Sequence, residues 1–396
     1  MKLAQRLKSA KPSPTLALNA KAKALVAAGQ DVVGFVAGEP DYDTPEFIKQ
    51  AAIDALHAGF TKYTATNGIL ELRQAICDKL QRDNRLSYTP DQVLVCTGAK
   101  HALYNLFQAL LDEGDEVLIV APYWVSYPEM VQLAGGKPVV LQTREEDGFS
   151  PDPEAIRRAL TPRTRAIILN SPNNPTGAVL SRKALEGIAA AIRDHDCLVV
   201  SDDIYEKLLY TGEFQNLGNV APDLVPRLVV VNGMSKAFSM TGWRLGYAAG
   251  PRWLIAGMGL VQDQSTSNPS SIGQKAALAA LQGPASSTKA MVAEYHARRD
   301  LFVAGLNALP GVSCRVPEGA FYVFPNITGL LGKSYRGKTL TTSLQVSELL
   351  LEDHKVAVMP GSAFGAEGFL RFSFVTAREN IEKGLARLKA FVSEVR

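Results

Sequence analysis

The sequence predicts an α/β chain: a mostly parallel sheet wrapped by helices, joined to a smaller α+β region. Three observations carry this. From about residue 92 to 250, short β-branched runs alternate with amphipathic helical stretches. The runs are apolar at nearly every position, as strands covered on both faces are, instead of alternating like half-solvated ones. After residue 285 the pattern changes to one long helical stretch followed by short mixed elements.

The runs are, in order, "QVLVC" (92–96), "DEVLIV" (115–120), "KPVVL" (137–141), "RAIIL" (165–169), "CLVVS" (197–201) and "RLVVV" (227–231). Between the first two, Leu103, Leu106, Phe107, Leu110 and Leu111 follow the i, i+3, i+4, i+7, i+8 spacing of a helix with one buried face. Strands alternating with helices give a parallel sheet, and ligands bind beyond the carboxyl ends of such strands. Past residue 285, "TKAMVAEYHARRDLFVAGLNAL" reads as a helix and "SCRVPEGAFYVFP" as extended chain. A helix near 341–353 follows, then "VAVMPGSAFG" and "FLRFSFV". The division expected is an arm at 1–13, a small domain at 14–45 plus 286–396, and a large domain at 46–285.

Composition narrows the function. With 42 basic against 39 acidic residues in 396, the net charge of +3 gives no footprint for nucleic acid. The four cysteines are scattered with no CxxC pair, so a reducing compartment is expected and a disulfide framework is not. Asn19, Lys21 and Lys23 interrupt any apolar core of a signal peptide, and no run approaches the ~20 apolar residues of a membrane span. A cytoplasmic protein is expected.

Four strand ends carry polar residues. The first runs into "TGAKHALYNLF", where Gly98, Ala99 and Lys100 open a helix; free backbone N–H groups there suit an anion, or form a plain strand-to-helix turn. "RAIILN" empties into "SPNNPTGA", whose prolines and glycine would hold Asn174 at a set angle or simply make a stiff loop. "CLVVSDD" places Asp202 and Asp203 after apolar residues, as helix caps or as a carboxylate facing a buried cation. "GMSKAFSMTGWRLGY" (233–247) sets Lys236 and Arg244 among small and apolar residues. Burial there lowers a lysine's pKa toward a usable nucleophile or base, and arginine offers a planar fork for phosphate or carboxylate. An anion cup, an amide, a carboxylate, a lysine and an arginine at one sheet edge suit a phosphorylated aldehyde cofactor held as a Schiff base.

"SPNNPTGA", "SDDIYE" and "SKAFSMTGWRLGY", with "GEPDYDTPE" and "KYTATNGILELR" upstream, resemble the class I, fold-type-I pyridoxal-phosphate aminotransferases. "PYWVSYPEM" and "TGAKHALYNLF" are most similar to the bacterial aspartate aminotransferases of the Ib branch, and the likeness spans nearly the whole chain. The resemblance implies a seven-stranded, mostly parallel sheet in the large domain, pyridoxal 5′-phosphate as cofactor, and a homodimer. It implies ping-pong transfer of the amino group of L-aspartate to 2-oxoglutarate. Residue by residue, Lys236 carries the cofactor and moves the substrate proton, Asp202 pairs with the pyridine nitrogen, and Asn174 and Tyr205 bond the 3-oxygen. Trp124 stacks on the ring. Arg244, Ser235 and the backbone of Gly98, Ala99 and Lys100 hold the phosphate, with Tyr63 reaching in from a second subunit. Arg371 grips the α-carboxylate, helped by the Gly38 backbone.

Asp203 stands where many relatives carry glutamate, with no change of chemistry expected. The other main branch takes an arginine from the neighbouring subunit near "QDQSTSNPSS" for the distal carboxylate, and that segment has none. Lys100, with Thr15, is the replacement the branch implies; a solvated lysine is the plain alternative. Lys11 lies where relatives acting on prephenate carry a lysine, or is a tail charge. Prephenate or aromatic transamination, and β-lyase chemistry, stay open within the cofactor class. Outside it, "GLLGKS" (329–334) is no P-loop, because the required glycine is Ile327. No G-x-G-x-x-G follows a strand, and five scattered histidines offer no metal site.

Overall fold

The structure is a computed structural model describing residues 2, 4–7 and 14–396, of which 5, 14–17, 19 and 285 are described as backbone only. The chain enters through helix α1 (Pro14–Ala27), a two-residue strand β1 (Val33–Gly34), and helices α2 (Glu46–His57) and α3 (Leu70–Asn84). The six apolar runs then form strands: β2 (Val93–Cys96), β3 (Glu116–Val120), β4 (Lys137–Leu141), β5 (Thr164–Asn170), β6 (Leu198–Asp202) and β7 (Leu228–Gly233). A seventh, β8 (Gly246–Ala249), completes one sheet in the order β2-β8-β7-β6-β5-β3-β4. β8 runs antiparallel to both neighbours, and the other pairs are parallel.

The near-continuous apolar character has a direct cause. Along β7, Leu228 and Val230 pack into the core on one side of the sheet, while Val229 and Val231 pack into the core on the other. Successive side chains point to opposite faces, and both faces are covered, so the run favours apolar residues, and Asn232 at its end is buried only with its amide donating to the Glu206 carboxylate. Each apolar side chain contributes about 1.5–3 kcal/mol by leaving water. β8 gave no such signal because it reads "GYAA". Its Gly246 is required: a Cβ there would collide with the backbone of Gly98 and Ala99, where the turn after β2 starts helix α4 (Ala99–Leu110).

Beyond the helix Lys289–Asn307 lie β9 (Tyr322–Val323), the small hairpin β10 (Ser334–Tyr335) and β11 (Lys338–Thr339), then β12 (Val356–Ala357), β13 (Met359–Pro360) and β14 (Leu370–Ser373). β13, β14 and β9 make an antiparallel sheet in that order, and β1 pairs with β12 in parallel. Leu370, Phe372 and Phe374 join a separate aromatic-rich core, which also takes in Tyr205 and Leu208 from the segment after β6. By alternation Arg371 and Ser373 face the other way. Among the described residues, no helix is long and apolar enough to cross a membrane.

Candidate active site

The carboxyl ends of β5, β6 and β7 form one polar edge. Asn170 pairs in register with Asp202, and Asp202 with Val231, just before the turn that carries Lys236. Above this edge, between the two sheets, opens a cleft of about 400 Å³. It gathers Gly38, Ala99, Lys100, Trp124, Asn174, Asp202, Tyr205, Ser235, Lys236, Arg244 and Arg371, which come from widely separated parts of the chain. Tyr63 lies outside this cleft and is 90% exposed. Lys11 falls outside the described residues, and nothing is described of the Thr15 side chain.

Lys236 is held where a charge is costly. Burial lowers its ammonium to about 8; Arg244 and Arg371 add repulsion, while Glu39 and Asp202 oppose the shift. Its Nζ donates to the Gly38 carbonyl. Asp202 is only 4% exposed. Desolvation pushes its carboxyl up to about 6, against the pull of a hydrogen bond from Tyr127, the Ile204 N–H and the charge of Lys236. The Tyr127 hydroxyl donates to Asp202 Oδ2 at 2.6 Å. No helix follows Asp202 directly, so it caps none. Asp203 points into a separate buried network with Ser201 and Asn216, behind the strand end.

Asn174 sits in a loop tied down by its own side chains. Its N–H donates to Asn170 Oδ1 at 2.8 Å, and Asn170 donates in turn to the Asp202 carbonyl. Arg371 Nη1 donates to Asn174 Oδ1 at 3.1 Å and Nη2 to the Val36 carbonyl at 2.7 Å. A guanidinium only donates, so the amide of Asn174 is oriented with its NH2 directed elsewhere. Arg371 is 3% exposed, no carboxylate pairs with it among the described residues, and its Nε has no partner. A buried guanidinium with an unused donor is a receptor for an anion.

At the other end, Gly98 takes φ +87°, a conformation open to glycine, and a Cβ there would meet the Arg244 guanidinium. Arg244 itself holds φ +57°, donates to the Thr241 carbonyl and pairs with no carboxylate among the described residues. Lys100 Nζ rests 4.8 Å over the Trp124 ring, and partial burial together with Arg244 lowers its pKa. The cleft thus has an anion cup at the α4 N-terminus, a second cation at Arg371, and an amine facing a carboxylate between them. Such a set can hold a phosphate at one end and a carboxylate at the other, with a proton-transfer amine midway.

A sequence profile of the family Aminotransferase class I and II matches residues 30–388. The chain belongs to this family. As an aminotransferase it is 50% identical to an aspartate/prephenate aminotransferase of Cereibacter sphaeroides over 98% of both chains. It is 46% identical to an aspartate aminotransferase of Bacillus subtilis over the full length of both. The crystal structure of an aspartate aminotransferase from Rhizobium meliloti superposes with a TM-score of 0.97, at 45% identity and complete coverage of both chains.

Residues of this aminotransferase cleft that the motifs did not single out include Glu39, Tyr127, Asn170 and Tyr322. Tyr127 stands three residues after Trp124 at a helix start, a spacing that could have drawn attention to it. Tyr322 lies in "GAFYVF", an apolar run with no alternation to mark a cleft-facing position.

Proposed function

We propose that this aminotransferase uses pyridoxal 5′-phosphate to move the amino group of L-aspartate to 2-oxoglutarate, giving oxaloacetate and L-glutamate. The observation that carries this is the buried Lys236 amine, with a pKa near 8, enclosed with the buried Asp202 carboxylate and the partnerless Arg371 Nε. The cradle fits the cofactor: Gly98 and Gly246 leave no room for a Cβ where the turn meets Arg244, so the helix N–H groups stay open to a phosphate. When bound, the cofactor supplies an electron sink for the substrate carbanion.

The roles assigned to this chain's residues follow. Arg244, Ser235 and the N–H groups after Gly98 take the phosphate, Trp124 covers the ring, and Asn174 and Tyr205 hydrogen-bond the ring oxygen. Asp202 keeps its negative charge against burial with the help of Tyr127, and so can hold a proton on a ring nitrogen. Arg371 binds the α-carboxylate beside Gly38. Lys236, near half neutral at pH 8, removes a proton from the substrate Cα and returns it to the neighbouring position. Lys100 meets the distal carboxylate.

We place the chain in a homodimer in which Tyr63 completes the neighbouring cleft. Supporting this, Tyr63 is 90% exposed, and Trp253 and Leu260, seven residues apart on one helix, are 61% and 64% exposed. The division near residues 45 and 285 belongs to the same reading, since the sheet cores and the aromatic-rich core are separate clusters. A second substrate, prephenate, is suggested by the name of the Cereibacter sphaeroides relative.

Borohydride reduction followed by peptide mapping should find the cofactor on Lys236, and label elsewhere would refute the site. A steady-state panel of amino donors against 2-oxoglutarate, oxaloacetate and prephenate tests the substrates. No turnover of aspartate would overturn the assignment.

A further inference from the structure

The loop between α2 and α3 that carries Tyr63 is held by two buried amides. Gln262, near the end of the helix Arg252–Asp263, and Gln274, on the helix Ser271–Gln282, are both fully buried. Gln274 Oε1 accepts from the Ile69 N–H at 2.8 Å, and its Nε2 donates to Thr64 Oγ1 at 3.0 Å and to the Pro269 carbonyl at 2.9 Å. Gln262 Nε2 donates to the carbonyls of Thr66 at 2.8 Å and Val95 at 2.9 Å, and its Oε1 accepts from Asn105 at 3.0 Å. The Val95 N–H of β2 donates to the Asn67 carbonyl at 3.1 Å, and Ser271 Oγ to the Phe60 carbonyl at 2.9 Å. Gly68 sits at φ +94°, where a Cβ would run into Val95.

Both amides have each N–H and the oxygen engaged, and a buried polar network satisfied in this way stiffens what it touches. Connecting loops are ordinarily the mobile parts of a fold. Here Phe60, Thr64, Thr66, Asn67 and Ile69 are all pinned, yet the residue they bracket stands clear of its own chain's cleft. Tyr63 is 90% exposed and lines no part of that cleft. Through Gln262 the loop is also tied to the helix that exposes Trp253 and Leu260. A tyrosine fixed in place and turned to solvent is preorganised for a contact outside its own chain.

We propose that Gln262 and Gln274 are positioning residues that act across the dimer, holding the loop so that Tyr63 of one protomer reaches the cofactor phosphate in the neighbouring cleft. This rests on the reading that two copies pair with Tyr63 at the neighbouring site. Damage to the clamp in one protomer therefore impairs cofactor binding in the other and leaves its own cleft intact.

The probe is pyridoxal 5′-phosphate titrated into cofactor-free dimers, followed by the absorbance of cofactor joined to Lys236. Gln274→Met keeps the length of the side chain and removes the amide. Its homodimer should bind cofactor about tenfold more weakly, as should that of Tyr63→Phe, and the two substitutions together should cost little more than either. Mixed dimers, isolated with two affinity tags, locate the effect. Paired with Lys236→Ala, a Gln274→Met protomer holds the only competent cleft and takes its Tyr63 from an intact clamp, so affinity should return to that of the unsubstituted protein. The reciprocal pair, an unsubstituted protomer beside one carrying both Gln274→Met and Lys236→Ala, should show the full loss. A clamp with only a structural role gives the reverse in both pairs, which overturns the proposal, as does an unweakened Gln274→Met homodimer. If Gln274→Met fails to fold, Thr64→Val, which breaks one link at the half-buried end of the clamp, goes through the same pairs. A loss of about threefold with the same reversal is then expected, and no loss overturns the proposal. Tyr63→Phe paired with Lys236→Ala separates the two readings. No recovery there sinks the dimer reading and this one with it, whereas recovery there with none for Gln274→Met sinks this one alone.

Discussion

Replacing Asp202 with asparagine should make the cofactor-free protein more stable while removing most of its activity. The carboxyl is raised from an ordinary 3.8 to about 6, chiefly by burial. For an acid with a raised folded-state pKa, the native state binds more protons than the unfolded state between those two values, so stability falls as pH rises through them. The penalty is absent below about pH 4 and complete above about pH 6. A shift of about two units at 1.36 kcal/mol per unit is about 3 kcal/mol, an upper figure for so buried a group. Asparagine keeps an acceptor for the Tyr127 hydroxyl and carries no charge, so Asp202→Asn should recover most of that energy at pH 8 and almost none at pH 4. Urea unfolding of the cofactor-free protein at the two pH values, at one fixed protein concentration, measures both. Turnover should fall by about 10²–10³-fold or more, since the charge proposed to hold a proton on the ring nitrogen is gone. Equal stability effects at both pH values, or a loss of stability at pH 8, would refute the argument that burial of this charge is the stored cost.

Other consequences follow from the same geometry. The rate at which Lys236 captures added cofactor should rise with pH through a midpoint near 8 rather than 10.5, because only the neutral amine attacks; stopped-flow absorbance reads this, and a midpoint near 10.5 would contradict the burial of the amine. Lys100→Ala should weaken turnover of aspartate about tenfold or more while barely affecting an apolar amino donor; equal losses in a steady-state comparison would remove Lys100 from distal-carboxylate recognition. Gly246→Ala forces a Cβ against the Gly98–Ala99 backbone and should cut cofactor affinity at least about tenfold, measured by equilibrium titration of the cofactor-free protein. Arg371→Lys should lower kcat/KM for all carboxylate substrates by about 10²-fold, because an ammonium cannot offer two parallel donors; a change confined to dicarboxylates would misplace the α-carboxylate.

What could be read directly from the residues was whatever depends on short spacing. Five of the six strands were legible because burial on both faces leaves an unbroken apolar run, and the edge strand β4 showed as a β-branched run although Val140 is exposed. The Gly98, Asn174, Asp202 and Lys236 positions were legible because each lies at or within a few residues of the end of such a run. β8 was not, since its "GYAA" obeys the close approach of the α4 turn and not strand propensity. Tyr127 and Tyr322 went unmarked for a related reason. Their hydroxyls act only by meeting Asp202, 75 residues away, and Tyr205, 117 residues away. Arg371 entered through family likeness alone, because the lack of a partner for its Nε among the described residues is a property of the space around it and not of its neighbours in the chain. Local order therefore determined which groups stand at the sheet edge. Tertiary packing decided how desolvated they are, and with that the pKa values of Lys236 and Asp202, since removal from water depends on what the rest of the chain stacks against them.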